Sequence, residues 1–363
     1  MSLLDSFKRF TRVEFAAPRY LSPPSAGIDI SASGIKLAVV AERFAGLELV
    51  AYGEGRLELG AMEGGEIADR AAVVGAIRTL AREHNIHFAN IALSESRSYL
   101  FEADVPGATK RDQRTAVEQH IDEYVPLPPA ETSFDVVATG TVGDQTHVVG
   151  VGYASRVITE SLSTLDEAGI EAISIESETF SLPRALLATG SDETVLIIDI
   201  GRTTTKLLIV EQRLPRFATT LDIGGHALTL AVQKYFSVSE EEAKRVKAER
   251  GLVGGPGNEE YLAAMLSTVS VIRDEIVRRL DYWQARSGEG TGHAPVSRAI
   301  LVGGNATVRG LSEYLESNLK IPVALGDVFT NLASRDHWLP PIDYMESLAY
   351  GTAIGLALRT YAA

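Results

Sequence analysis

A repeated turn constrains this chain more than any other feature. Gly27-Ile28-Asp29-Ile30-Ser31-Ala32-Ser33-Gly34-Ile35-Lys36 runs into Leu37-Ala38-Val39-Val40. Far downstream, Leu196-Ile197-Ile198-Asp199-Ile200-Gly201-Arg202-Thr203-Thr204-Thr205-Lys206 runs into Leu207-Leu208-Ile209-Val210. Each copy is an apolar run reaching an Asp, a small-residue turn, a Lys and a second apolar run. That grammar predicts a β-hairpin. Turns rich in Gly, Ser and Thr point backbone N–H and hydroxyl groups at one spot, a concavity suited to phosphate oxygens. One copy is equally an ordinary hairpin with a surface Asp. Two copies predict a duplicated nucleotide-binding domain with the ligand between the halves. A carboxylate there repels a polyphosphate unless a Mg²⁺ ion, held through its waters by Asp29 and Asp199, stands between them. Lys36 is placed to reach a phosphate as a point charge.

Composition narrows the class. The chain has 363 residues, so two lobes are expected. Hydrophobic residues make up 45% and charged residues 23%, as in globular proteins. A net charge of −14 argues against a nucleic-acid partner. The absence of cysteine excludes disulfides, thiolate metal sites and cysteine nucleophiles. No apolar run approaches the ~18 residues of a membrane span, and the N-terminus lacks signal-peptide features, so an intracellular protein is expected. Leu3, Leu4, Phe7 and Phe10 recur at helical spacing beside Lys8, Arg9 and Arg12. Residues 3–12 therefore read either as an amphipathic helix for a partner or membrane surface, or as a frayed terminus.

The rest of the pattern is α/β. Strands are expected at 27–32, 35–42 and 47–53, a helix at 69–85 and a strand at 90–93. A block of different texture follows: strand 98–105, helix 110–124, strands 134–139 and 147–153, helix 157–169. A helix at 177–188 leads to a hinge-like break, Gly190-Ser191-Asp192. The second lobe opens with strands 194–200, 205–211 and 214–221. Helices at 226–236, 240–250 and 259–286, strand 299–302, helix 310–319, strand 323–325 and helix 347–360 complete it. The division this suggests is a tail, 1–26; a first lobe, 27–95 and 173–190, with an inserted domain, 96–172; and a second lobe, 191–237 and 299–363, with a helical subdomain, 238–298.

Other motifs are softer. Gly303-Gly304-Asn305 follows a strand and precedes a helix. It is either a tight turn or a place where a flat base meets bare backbone. The last helix carries Ala349, Gly351, Ala353, Gly355 and Ala357, which permits a close helix crossing, with 177–188 as the expected partner. Glu176 and Glu178 begin that partner helix. Either would orient a water for hydrolysis, Glu176 being the catalytic candidate, or would only cap a helix N-terminus. The seven His show no metal-ligand spacing, and no hydrolase triad or dinucleotide fingerprint occurs.

The ordered set resembles the actin-like ATPase superfamily, and within it the branch of FtsA and PilM. The residues that carry the likeness are Gly27-Ile28-Asp29-Ile30; Val105-Pro106 with Tyr124-Val125-Pro126; Leu196 to Gly201; Asp222-Ile223-Gly224-Gly225; Leu301 to Asn305 with Gly310-Leu311; and Ala353 to Arg359. The resemblance implies a duplicated, ribonuclease H-like two-lobe fold with a small α+β domain inserted in the first lobe. It implies ATP and Mg²⁺ in the interlobe cleft. Asp29, Ser31, Ala32, Ser33, Gly34 and Lys36 would hold phosphates with Asp199, Gly201, Arg202, Thr203, Thr204 and Thr205. Gly303, Gly304 and Asn305 would flank the base, and Lys247 would touch the ribose. PilM-like proteins bind the cytoplasmic N-terminal tail of the membrane protein PilN in a groove of the first lobe and its inserted domain. The resemblance thus implies a scaffold of type IV pilus assembly on the cytoplasmic side of the inner membrane, with other pilus proteins as partners and room for self-association.

The chain departs from the pattern in places. Its first turn has glycine last, Arg202 stands where actin has an acidic residue, and Lys244 stands where the family tends to an acid. Slow or absent hydrolysis is therefore expected. A division protein like FtsA, filament-forming and membrane-associated, is the alternative, although FtsA carries its amphipathic anchor at the C-terminus. A small-molecule kinase of the same superfamily would need an acceptor-side carboxylate that the sequence does not show.

Overall fold

The computed structural model describes residues 25–107, 109–255, 257–288 and 293–361. The amphipathic pattern at 3–12 lies outside them. Among the described residues no helix is long and apolar enough to cross a membrane.

The chain begins with a meander, β1 (Ser25–Ser31), β2 (Gly34–Arg43) and β3 (Gly46–Gly55), then a ribbon of two short strands, β4 (Met62–Glu63) and β5 (Glu66–Ile67). The helix Arg70–His84 returns the chain to β6 (Phe88–Leu93). Its start is fixed by the Asp69 carboxylate, which accepts from the Ala72 N–H at 3.0 Å, and its end by Asn85 at φ 53°. Three strands, β7 (Tyr99–Pro106), β8 (Thr132–Val142) and β9 (Gln145–Ala154), form a separate antiparallel sheet in the order β7-β9-β8. The helix Ser155–Ala168 leads to β10 (Glu171–Ser177), which rejoins the first sheet. The helix Glu178–Leu186 then crosses to β11 (Thr194–Ile200), β12 (Thr205–Glu211) and β13 (Leu214–Leu221). Three helices, Gly225–Phe236, Glu240–Arg250 and Glu259–Gln284, precede β14 (Arg298–Val302) and β15 (Val323–Leu325).

The two large sheets have one topology. Their orders are β10-β6-β1-β2-β3 and β15-β14-β11-β12-β13. In each, three antiparallel strands are extended by two parallel ones on the far edge. Even the register repeats: Asp29 faces Lys36 across the first hairpin, and Asp199 faces Lys206 across the second. This is a mixed α/β, duplicated architecture.

Strand alternation decides what each face does. Ile28, Ile35, Leu37 and Val39 pack with Val73, Val74, Ile77 and Leu80 of the helix Arg70–His84. On the opposite face, Ala38 and Val40 join a core that runs through Leu182, Ala353, Ile354 and Ala357 into the second sheet. Two glycines permit that join. A β-carbon at Gly27 would collide with the Ala353 carbonyl, and one at Gly355 with the Ser181 carbonyl. Side-chain-free backbone is required at both crossings.

Two predicted helices differ. The one expected over 110–124 is two, Lys110–Gln119 and Ile121–Tyr124, broken at His120 (φ −128°, ψ 21°). The break lets Ile121 and Val125 join Val117 in the core of the small sheet. The one expected over 347–360 is the shorter helix Gly351–Leu358, preceded by a one-turn α-helix, Tyr344–Ser347, and a 3₁₀ turn, Leu348–Tyr350. There the Leu348 carbonyl accepts from the Gly303 N–H at 2.9 Å, so the chain bends around that glycine.

Candidate functional site

A cleft of about 630 Å³ separates the two sheets. The hairpin turns of both halves open into it. Asp29, Ser31, Ala32, Ser33 and Lys36 line one side; Asp199, Gly201, Arg202, Thr203 and Thr204 line the other. Gly303, Gly304, Asn305 and Lys247 close the end. Residues far apart in sequence are thus gathered at one place, because each Asp sits at the last turn-facing position of the central strand of its sheet.

Gly34 and Thr205 do not line this cleft; they build the hairpins. Gly34 has φ 132°, and a β-carbon there would stand 2.7 Å from the Gly55 carbonyl oxygen. Thr205 is fully buried, and its hydroxyl donates to the Ile223 carbonyl at 2.7 Å. Glu176 is also elsewhere. Its carboxylate takes two bonds from Arg184, at 2.6 and 2.9 Å, and another from Arg359. It is not placed to orient a water in the cleft. The neighbouring Glu178, its side chain equally buried, is the glutamate that meets Lys206 of the second hairpin, because β10 ends between the two and turns their side chains to different partners.

Buried charge dominates the floor. The Lys206 ammonium donates to Glu178 at 2.5 Å and lies 3.8 Å from Asp199. The other Glu178 oxygen accepts from the Glu95 N–H at 2.6 Å. Burial pushes the Asp29 carboxyl up to about 6, against the pull of Lys206 and with the push of Glu178. Burial likewise raises Asp199, again opposed by Lys206. Burial works against the charged form of Lys206, but Glu178, Asp199 and Asp29 together outweigh it and hold the lysine above its usual range. The floor is therefore short of positive charge, even with Lys206 in place. Lys36, 6% exposed, supplies more from the first hairpin and lies 6.0 Å from the centre of the Tyr350 ring.

The opposite end is a cage of neutral acceptors around one ammonium, that of Lys247. Asn305 donates to the Gly201 carbonyl at 2.9 Å and accepts from Lys247 at 2.9 Å. Lys247 also donates to the Gly225 carbonyl at 3.1 Å. Burial, and then Lys244, bring the Lys247 ammonium down to about 8. The cage has no room for a larger residue at Gly225, where a β-carbon would occupy the Asn305 side chain. Gly303, at φ 90°, leaves its backbone bare, and a β-carbon there would meet Asp199.

Sequence reasoning missed one wall of the cleft, Met345 to Gly351 with Tyr350. The small-residue pattern there signalled helix packing and nothing more. His226 and Thr229, from the helix after Gly224-Gly225, were missed as well. Their signal was that glycine pair opening a helix, which brings the first turn of Gly225–Phe236 close to the Gly201 and Arg202 carbonyls. Among the described residues no group of three or more His, Asp or Glu is placed to hold a metal ion directly.

Comparison with known proteins bears on this architecture. Residues 27–361 match the family described as type IV pilus assembly protein PilM. A solved PilM-PilN type IV pilus biogenesis complex is similar at 23% identity with a TM-score of 0.78, over 95% of this chain and 100% of that one. The ethanolamine utilization protein EutJ from Carboxydothermus hydrogenoformans is similar at 16% identity and TM-score 0.55, over 96% and 94% of the two chains. MreB5 of Spiroplasma citri bound to ADP is similar at 15% identity and TM-score 0.53, over 86% and 94%. At these identities the structures show the fold, and that fold is actin-like.

Proposed function

Because the chain belongs to the PilM family of type IV pilus assembly proteins, we propose that it works as a nucleotide-dependent adaptor. In this reading ATP with Mg²⁺ occupies the cleft. The first lobe and its inserted domain hold the cytoplasmic tail of a PilN-like inner-membrane protein, which brings the chain to the inner face of that membrane.

The observation that carries the reading is the pair of Asp–Lys hairpins facing one cleft in identical register. Two buried carboxyls with raised pKa call for added positive charge, which a hydrated Mg²⁺ supplies together with phosphate neutralisation. The residues fit that group. Turn hydroxyls and N–H groups from Ser31 to Ser33 and Gly201 to Thr204 would take phosphate oxygens. Lys36 would add a point charge. Bare backbone at Gly303 and Gly304 leaves space for a flat base, with Lys247 on the sugar side. MreB5 of Spiroplasma citri, similar in fold, is itself described as bound to ADP and to AMPPNP.

Turnover is expected to be slow. Both oxygens of Glu178 are engaged, one by Lys206 and one by the Glu95 N–H. A carboxylate so held is poorly placed to orient an attacking water.

For the peptide, a narrow crevice runs between Ile30, Met62, Ile67 and Leu93 of the first lobe and Val157 of the helix Ser155–Ala168. Glu66 stands at its edge, paired with Arg97 at 2.9 Å and Arg156 at 2.5 Å. Its free space is only about 20 Å³, so in this reading an amphipathic peptide lies across the mouth, against Met62 and the ionic rim, and does not enter it.

The test is calorimetric titration of the full-length protein with Mg²⁺-ATP and, separately, with a synthetic N-terminal peptide of a PilN-like protein. Saturable binding of both is expected, with nucleotide binding lost in Asp199→Ala and peptide binding weakened in Met62→Glu. Absence of peptide binding with and without nucleotide would remove the adaptor reading. Absence of nucleotide binding would remove the cleft assignment.

A further inference from the structure

A second recess, of about 560 Å³, opens where the link Gly190-Ser191-Asp192 joins the two halves. It shares no residue with the cleft. Phe180 and Leu214 give it apolar walls, and Arg184 and Arg213 line it with charge. Each half of the molecule supplies one guanidinium. Arg184 comes from the helix Glu178–Leu186, and Arg213 from the turn between β12 and β13.

Charge there is unbalanced. Glu176 is shared by Arg184 and Arg359. Arg213 has no carboxylate partner among the described residues, and its Nε is buried without a hydrogen-bond acceptor. Asp192 lines the recess but forms no ion pair with either arginine among the described residues. The chain holds Arg213 in a left-handed backbone, φ 66°, directly after Gln212 at 52°. Left-handed backbone at a non-glycine residue is strained. Burial, and then Arg184, hold the Arg213 guanidinium below its ordinary value. In a protein of net charge −14, Arg184, Arg213 and Arg359 against Glu176 and Asp192 leave this corner one positive charge ahead.

We propose that this recess is an oxyanion site, in which a small phosphate- or carboxylate-bearing ligand bridges Arg213 and Arg184 with its apolar part against Phe180 and Leu214. A planar guanidinium fork matches either group, and the volume is that of a small-ligand site. An anion held by both arginines ties the helix Glu178–Leu186 to the second sheet and so stiffens the joint between the halves. The assignment is independent of what the cleft binds.

The experiment titrates the full-length protein with inorganic phosphate and, in a separate arm, with succinate, at ionic strength fixed by chloride. Heat and thermal unfolding are both followed. Arg213→Gly removes the guanidinium and relieves the left-handed backbone; Arg213→Gln keeps the length without the charge; Lys36→Ala alters only the cleft. Wild type and Lys36→Ala should bind saturably and gain thermal stability, and both Arg213 variants should bind about tenfold more weakly or less. Binding of phosphate alone assigns a phosphoryl ligand, and binding of succinate alone a carboxylate. Equal affinity in the Arg213 variants, loss confined to Lys36→Ala, or no binding of either anion overturns the site.

Discussion

Asp29 shows at the scale of one residue what a buried carboxyl costs the fold. Its carboxyl titrates at about 6 in the fold, against 3.8 for the free side chain. The folded state therefore holds the proton more tightly than the unfolded chain. That preference stabilises the fold fully below pH 3.8 and is lost as pH rises to about 6. Asn at this position never carries the charge. Asp29→Asn should thus raise the thermal midpoint of the ligand-free protein above about pH 6.5 and match wild type near pH 3.5. On the proposed reading of the cleft, Mg²⁺-nucleotide should reverse the order at neutral pH, since the variant would lack the charge that meets the metal's waters. Scanning calorimetry across pH checks both halves. An Asn variant less stable than wild type at neutral pH without ligand would show that burial of this charge is not costly. The residue itself was legible in the sequence, because strand, Asp and small turn recur twice. Its coupling to Glu178 was not. The side chains of Glu176 and Glu178 are both buried, and the end of β10 between them decides which meets Lys206 and which meets Arg184 and Arg359.

At the scale of elements, close crossings matter most. The helices Glu178–Leu186 and Gly351–Leu358 touch at Gly355, whose missing side chain admits the Ser181 carbonyl. Arg184 donates to the Gly355 carbonyl at 2.9 Å and fastens the pair. Gly355→Ala should force the helices apart and cost about 1–3 kcal/mol, measured as a shift in the urea midpoint. A change below about 0.5 kcal/mol would mean that the crossing relaxes freely. The sequence signalled this contact through its run of small residues. It did not signal that residues 347–350 would be set off from the helix Gly351–Leu358, because that bend answers to the Gly303 N–H, a partner more than one element away. The break at His120 is of the same kind. Local pattern favours one long helix, and packing of Ile121 and Val125 overrides it.

At the scale of the whole molecule, the small sheet is fastened at more than its chain connections. Arg216 of β13 pairs with Glu102 of β7 at 2.8 Å and with Glu211 of β12 at 3.3 Å. Its side chain is 6% exposed, so the pair is poorly screened. Arg216→Ala leaves two carboxylates facing each other and should cost about 3 kcal/mol. Hydrogen exchange should quicken first in β7 and β9. Unchanged exchange there would show that the small sheet sits independently of the second lobe. The duplicated plan was visible in sequence as the repeated hairpin, whereas the fastening was not, because charged residues on exposed-looking strands carry no sign of their partner. One feature of the plan bears on how the protein is made. The first sheet is covered on its inner face by the last helix: Gly27 meets Ala353, Asn90 donates to the Leu356 carbonyl at 3.2 Å, and Tyr361 donates to the Val40 carbonyl at 3.1 Å. A nascent chain leaves the ribosome N-terminus first. The strands of the first sheet must therefore wait, with one apolar surface uncovered, until the helix Gly351–Leu358, more than 300 residues downstream of Gly27, has been translated, which makes the period of synthesis the time of greatest exposure to chaperones and to premature aggregation.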